Sequence, residues 1–146
     1  MSEDRPEPSG DSASRHGRSV ETTIRRVLER HPDTRLAILF GSFATGRVRP
    51  DSDLDVAVDV GRPLTAEEKI RFIGDLALEI GRPVDLIDLN TVGEPLLGQI
   101  VVRGRRLMGS DTRYAELIRR HLFDQADFMP YRSRILAERR RRWIGK

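Results

Sequence analysis

Short apolar runs that alternate with segments of helical periodicity predict an α/β (α+β) domain built on a small sheet. Three observations carry that class. Leu36 to Phe40 is an unbroken apolar run, Asp53 to Val60 alternates with period two, and Ile70 to Ile80 repeats its apolar residues at helical spacing. A chain of 146 residues supports one such domain around a single buried core.

The elements follow in order. Residues 1–18 are rich in Ser, Pro, Gly and mixed charge and predict a disordered tail. Ser19 is a suitable N-cap for a helix that aligns Val20, Ile24, Val27 and Leu28 on one face. His31-Pro32 ends it, because a residue before proline avoids the helical region. Leu36 to Phe40 reads as a strand buried on both faces. Gly41-Ser42 turns the chain, with a brief helix before Gly46.

From Asp53 to Val60, alternation puts Asp53, Asp55, Ala57 and Asp59 on one face and Leu54, Val56, Val58 and Val60 on the other. Thr65 and Glu68 have the spacing of a capping box. The helix behind them carries Ile70, Ile73, Leu76, Ala77 and Ile80 and stops at Gly81-Arg82-Pro83. Val84 to Leu89 is a third strand. Pro95 suits the first turn of a helix bearing Leu96, Leu97, Ile100 and Val101, and Arg106 to Met108 is a short edge strand. From Thr112 the chain is helical to its end, as one helix or as two broken at Pro130.

Composition narrows the function classes. The chain has no cysteine, which removes disulfides, thiolate metal sites and a cysteine nucleophile. No apolar run approaches the roughly 18 residues of a membrane span, and the polar N-terminus has no signal-like stretch. These features point to a cytoplasmic protein without a membrane contact. Charge is uneven: Met129 to Lys146 holds seven basic residues against Glu138, a net +6 in a chain of net +3. The remaining 128 residues therefore sum to −3. A basic end of this kind suits RNA, an acidic protein or plain solvation.

The informative segment runs from Gly41 to Asp55. Gly41 lets the backbone turn and lets a phosphate approach, and Ser42 offers a hydroxyl at a helix start whose free N–H groups favour anions. Ten residues later comes Asp53-Leu54-Asp55. Strand residues two apart lie about 6.6 Å from each other and point the same way, so both carboxylates can reach the same cations. Hard oxygen ligands suit Mg²⁺, and a pair of ions roughly 3.5–4 Å apart would bracket a reacting phosphorus.

A third carboxylate completes such a site. Asp85 is favoured, with Asp88, on the opposite side of the same strand, as the alternative. Of the two loop arginines, Arg47 lies between the grip and the acids and is preferred over Arg49 for contact with a triphosphate. Each feature alone is ordinary, since Gly-Ser turns and Asp-x-Asp strands are common and Asp59 fits a plain surface position. The weight rests on their combination and order.

Gly41-Ser42, ten residues, Asp53-Leu54-Asp55 and a later Asp85 within Val84 to Leu89 resemble the DNA polymerase β-type nucleotidyltransferase superfamily. Small size, Arg113 to Leu117 and Tyr131 to Arg134 make the chain similar to its minimal nucleotidyltransferase (MNT) branch, the antitoxins that accompany HEPN-domain ribonuclease toxins. The resemblance covers about residues 20–135. It implies a small mixed sheet flanked by helices, a nucleotidyltransferase core over residues 19–110, and a C-terminal helical segment with a basic end over 111–146.

It further implies ATP as substrate and Mg²⁺ held by Asp53, Asp55 and Asp85, with Gly41, Ser42 and Arg47 on the nucleotide. AMP would pass to a tyrosine of the toxin and silence it. Many relatives carry arginine where this chain has Thr45, which leaves Arg47 to supply the basic grip.

Small size supports a protein acceptor, because beyond the core only a helical, basic tail is left to hold a small molecule or tRNA. Two other readings stand beside this one. In the first, the chain is a non-catalytic antitoxin that acts by binding its toxin; converging unpaired acids argue against that. In the second, it transfers nucleotides to a small molecule or an RNA end, with the basic tail as its hint.

Overall fold

The computed structural model describes residues 11–124, with side chains from residue 20 onward. The element order is α1 (Asp11–Glu29), β1 (Leu36–Phe40), α2 (Ser42–Thr45), β2 (Leu54–Asp59), α3 (Ala66–Ile80), β3 (Val84–Asp88), α4 (Leu96–Arg103) and β4 (Arg105–Met108). A further helix, α5, occupies residues 111–124. The strands form one mixed sheet in the order β3-β2-β1-β4. β1 is antiparallel to both its neighbours, and β2 and β3 run parallel.

This topology decides where chemistry can gather. Because β2 returns antiparallel to β1 and β3 runs parallel to β2, both strands start at the edge where β1 ends. Gly41 and Ser42 leave β1 at that edge, and the first residues of β2 and β3 sit beside them. Phe40 pairs with Asp55, and Asp55 pairs with Asp85.

Helices cover both faces of the sheet. Ile24, Val27 and Leu28 of α1 and Phe72 and Leu76 of α3 pack with Ala37, Leu39, Leu54, Val56 and Val58 on one side. Leu97 and Ile100 of α4 and Leu117 of α5 pack with Leu36, Ile38, Phe40 and Ala57 on the other. All five β1 residues are therefore buried, which is why that strand reads as a continuous apolar run. α5 is held by Arg120, whose guanidinium donates to the Leu89 and Val92 carbonyls at 2.6 and 3.2 Å. Among the described residues no helix is long and apolar enough to cross a membrane.

The capping box of α3 is present in both directions. Glu68 N–H donates to the Thr65 hydroxyl at 3.1 Å, and Thr65 N–H donates to the Glu68 carboxylate at 3.1 Å. Gly81 ends the helix at φ 71° in the left-handed region, where a side chain is disfavoured.

Several expectations change. α1 begins at Asp11, so Ser19 lies inside it and is not its cap, and residues 11–18 of the expected disordered tail are helical. Ile70 is 71% exposed and does not belong to the core face of α3. The buried face keeps the expected Leu76 and the partly buried Ile80 and takes in Phe72, an i, i+4, i+8 row. Pro95 occupies the N-cap position of α4, one residue before its first turn. The edge strand β4 begins at Arg105, one residue early. The break at Pro130, Tyr131 to Arg134 and the basic end lie outside the described residues.

Candidate active site

Gly41 is the N-cap of α2 and sits at φ 70°, ψ −152°, a backbone conformation that side chains rarely adopt. A Cβ on it would lie 2.1 Å from Asp55 Oδ2, so the turn and the carboxylate are in direct apposition. No side chain caps α2. The first N–H groups of a helix have no partner within it. Ser42 opens the helix, and Phe43 anchors it in the core. The Thr45 hydroxyl turns back to the Gly41 and Ser42 carbonyls at 3.4 Å, so this residue finishes the helix and does not reach outward.

Asp55 lies opposite Asp85 in the register of β2 and β3, and Asp53 is near enough for its charge to act on Asp55. The Asp55 carboxyl is pushed up from 3.8 to about 6, first by burial, then by the charges of Asp85 and Asp53, with hydrogen bonding to Asp85 adding to the rise. None of these influences comes from a basic side chain. Asp85 is thus the acid of β3 that joins the pair.

Asp88 faces the other way and is 6% exposed. Its two oxygens accept the Leu64 N–H at 2.8 Å and the Asn90 N–H at 2.9 Å. It ties the β2–α3 connection to β3. Asp59, at the far end of β2, accepts the Gly61 N–H at 2.6 Å and the Asn90 amide at 2.7 Å, and so organises the opposite edge of the sheet.

Arg47 and Arg49 lie in the exposed loop between α2 and β2. The Arg47 side chain has no partner among the described residues, which leaves it available to an anion. Arg49 contributes its backbone, receiving and giving hydrogen bonds with Ser52. Arg82, which in the sequence is only the middle of a helix-stopping Gly-Arg-Pro, reaches this loop and donates to the Arg49 and Ser52 carbonyls. No local pattern announces such a side-chain-to-backbone contact across 30 or more residues.

Among the described residues no three Asp, Glu or His side chains form a ready-made cation cage. The donors present nonetheless fit Mg²⁺. They are carboxylate oxygens on one edge, and Mg²⁺ is commonly held by one or two carboxylates with waters and substrate phosphates completing its shell. The mutual repulsion recorded at Asp55 is the charge that a divalent ion would neutralise.

A pH dependence follows. The folded-state value of Asp55 is raised, so its contribution to stability is full below the ordinary carboxylate range and is lost as pH rises through about 6. Millimolar Mg²⁺ should therefore raise the melting temperature more at about pH 7.5 than at about pH 5. Differential scanning fluorimetry at the two pH values measures this, and an equal or reversed response would contradict it.

Residues 22–113 match the family described as polymerase beta, nucleotidyltransferase. The chain belongs to that family. Over 87 residues it is 31% identical to the protein adenylyltransferase MntA of Shewanella oneidensis, covering 60% of this chain and 63% of that protein. The match thus spans somewhat under two thirds of that relative's length.

A solved toxin–antitoxin complex with AMP-PNP contains a chain similar to this nucleotidyltransferase at TM-score 0.72 and 26% identity, over 81% of this chain and 96% of that one. A second, the tri-AMPylated HEPN toxin of Shewanella oneidensis in complex with MNT antitoxin, matches at TM-score 0.68 and 24% identity, over 84% and 97%. The latter likeness is one of fold. The mixed sheet with helices on both faces that the resemblance implies is the architecture found here.

Proposed function

We propose that this nucleotidyltransferase is an antitoxin that transfers AMP from Mg-ATP to a tyrosine of a HEPN-domain ribonuclease toxin and so neutralises it. The observation that supports the chemistry is the apposition of Asp55 to the Gly41 turn, with Asp85 its register partner and the Asp53 charge acting on it. The choice of a protein acceptor draws on likeness to an adenylyltransferase and to a chain from a toxin–antitoxin complex with an ATP analogue.

In this reading Gly41 admits the triphosphate to the start of α2, where the backbone N–H groups, the Ser42 hydroxyl and Arg47 hold it. Asp53, Asp55 and Asp85 would hold Mg²⁺. The ions supply charge neutralisation at the phosphates and a lowered pKa for the attacking hydroxyl. The tyrosine oxygen attacks the α-phosphorus and forms the new P–O bond. The bond to the bridging α–β oxygen breaks, pyrophosphate leaves, and Asp85 accepts the hydroxyl proton.

The test is a mixture of the full chain, its cognate HEPN-domain toxin and ATP labelled at the α-phosphate. Label on the toxin, dependent on Mg²⁺, together with loss of ribonuclease activity only when ATP is present, is the expected result. Complete inhibition without ATP would favour simple occlusion and reject transfer as the basis of neutralisation.

A further inference from the structure

The loop of residues 46–53 carries Arg47 and leads into Asp53, yet most of it is exposed. Internally it is closed by the Arg49 N–H to the Ser52 hydroxyl at 2.7 Å and the Ser52 N–H to the Arg49 carbonyl at 3.0 Å. At its start the Arg47 N–H returns to the Ser42 carbonyl at 3.0 Å. The Gly46 N–H bonds the same carbonyl, and among the described residues one side chain from outside the loop bonds its backbone. Arg82 donates from one guanidinium nitrogen to the Arg49 carbonyl at 2.8 Å and to the Ser52 carbonyl at 3.2 Å. The same guanidinium lies 5.1 Å from the centre of the Phe43 ring in α2.

Arg82 itself sits in the short turn between Gly81, which ends α3, and β3. The next residue, Pro83, gives its carbonyl to the Leu54 N–H at 2.9 Å. One planar cation therefore touches the helix that follows Gly41, braces the loop that ends at Asp53, and stands three residues before Asp85. We propose that Arg82 is a positioning residue that holds the phosphate-gripping helix and the Arg47 loop in register with the three carboxylates.

The inference rests on the nucleotidyl-transfer reading above and adds to it the device that fixes its geometry. A guanidinium suits this task because it can donate in its plane while stacking its face on an aromatic ring. Lysine can reach a carbonyl but cannot do both. The two carbonyls it binds would otherwise be solvated in an exposed loop, so removing Arg82 should loosen the loop and not the core.

The experiment pairs hydrogen–deuterium exchange with transfer kinetics on the full chain, as wild type, Arg82→Ala and Arg82→Lys. In Arg82→Ala, exchange over residues 46–53 should speed about tenfold while β1 and α1 stay unchanged. The KM for ATP should rise about tenfold with a much smaller change in kcat, because the loop's grip on the triphosphate is lost while the acids remain on their strands. Arg82→Lys should restore part of both.

Unchanged exchange in the loop would overturn the proposal whatever the activity, and so would faster exchange spread evenly over the sheet. Lysine behaving as alanine would also count against it. A wild-type chain that transfers no AMP would defeat the functional reading instead. The exchange pattern alone would then decide the brace.

Discussion

Replacing Asp53 and Asp55 together with asparagine should lower label transfer from ATP by about a thousandfold or more, on the scale of removing a preorganised charge-stabilising group. Asparagine keeps the shape and one acceptor oxygen but loses the negative charge that binds a hard divalent ion. The fold should survive, because Asp55 in the cation-free protein is repelled by Asp85 and Asp53 and has no basic partner. Removing that repulsion should leave the melting temperature at neutral pH equal to wild type or higher.

Asp88→Asn is the contrasting variant. Its carboxylate accepts two backbone N–H groups in a buried setting, so one of them would meet an amide donor in the variant. That change should cost stability with little specific effect on transfer by the remaining folded protein. Full transfer activity in the double Asp53, Asp55 variant would reject the site.

Gly41→Ala should be nearly as damaging, for a steric reason. The combination of φ 70° and ψ −152° belongs almost to glycine alone and costs an L-residue about 1–3 kcal/mol. The added methyl would also lie 2.1 Å from Asp55 Oδ2, which must then move. Strain and displacement of a carboxylate fall on the same variant, so both the melting temperature and transfer should drop. Gly46→Ala separates the two effects: its φ is 75°, but nothing lies within 4 Å of its Cβ position. It should lose stability by the backbone strain alone and retain most transfer. Wild-type kinetics in Gly41→Ala would mean that Gly41 and Asp55 do not face a common substrate.

Elements were legible in the sequence where burial and local signals agreed. β1 was plain because helices cover both its faces and all five residues are apolar. α3 announced its start through the Thr65–Glu68 box and its end through Gly81. Alternation along β2 placed Leu54, Val56 and Val58 against α1 and α3 and left Asp55 on the other face.

Ambiguity arose where two patterns coexisted. On α3 the expected Leu76 and Ile80 do face the core, but packing adds Phe72 to their row and leaves Ile70 exposed. At the start of α1, Ser19 resembled a cap although the helix already runs from Asp11. The choice between Asp85 and Asp88 turned on which residue lies beside Asp55, and strand register is a property of the sheet that neither strand encodes alone. Arg82 was invisible for a similar reason, since its partners are backbone carbonyls in a distant loop.

The most direct measurement is a crystal structure of the full chain grown with Mn²⁺ and a non-hydrolysable ATP analogue, with anomalous difference density locating the ions. The account predicts manganese bound by Asp53 and Asp55, at least one ion also touching Asp85, with the phosphates lying over Gly41 and Ser42. Manganese bound elsewhere, or an analogue whose phosphates lie away from that turn, would contradict it.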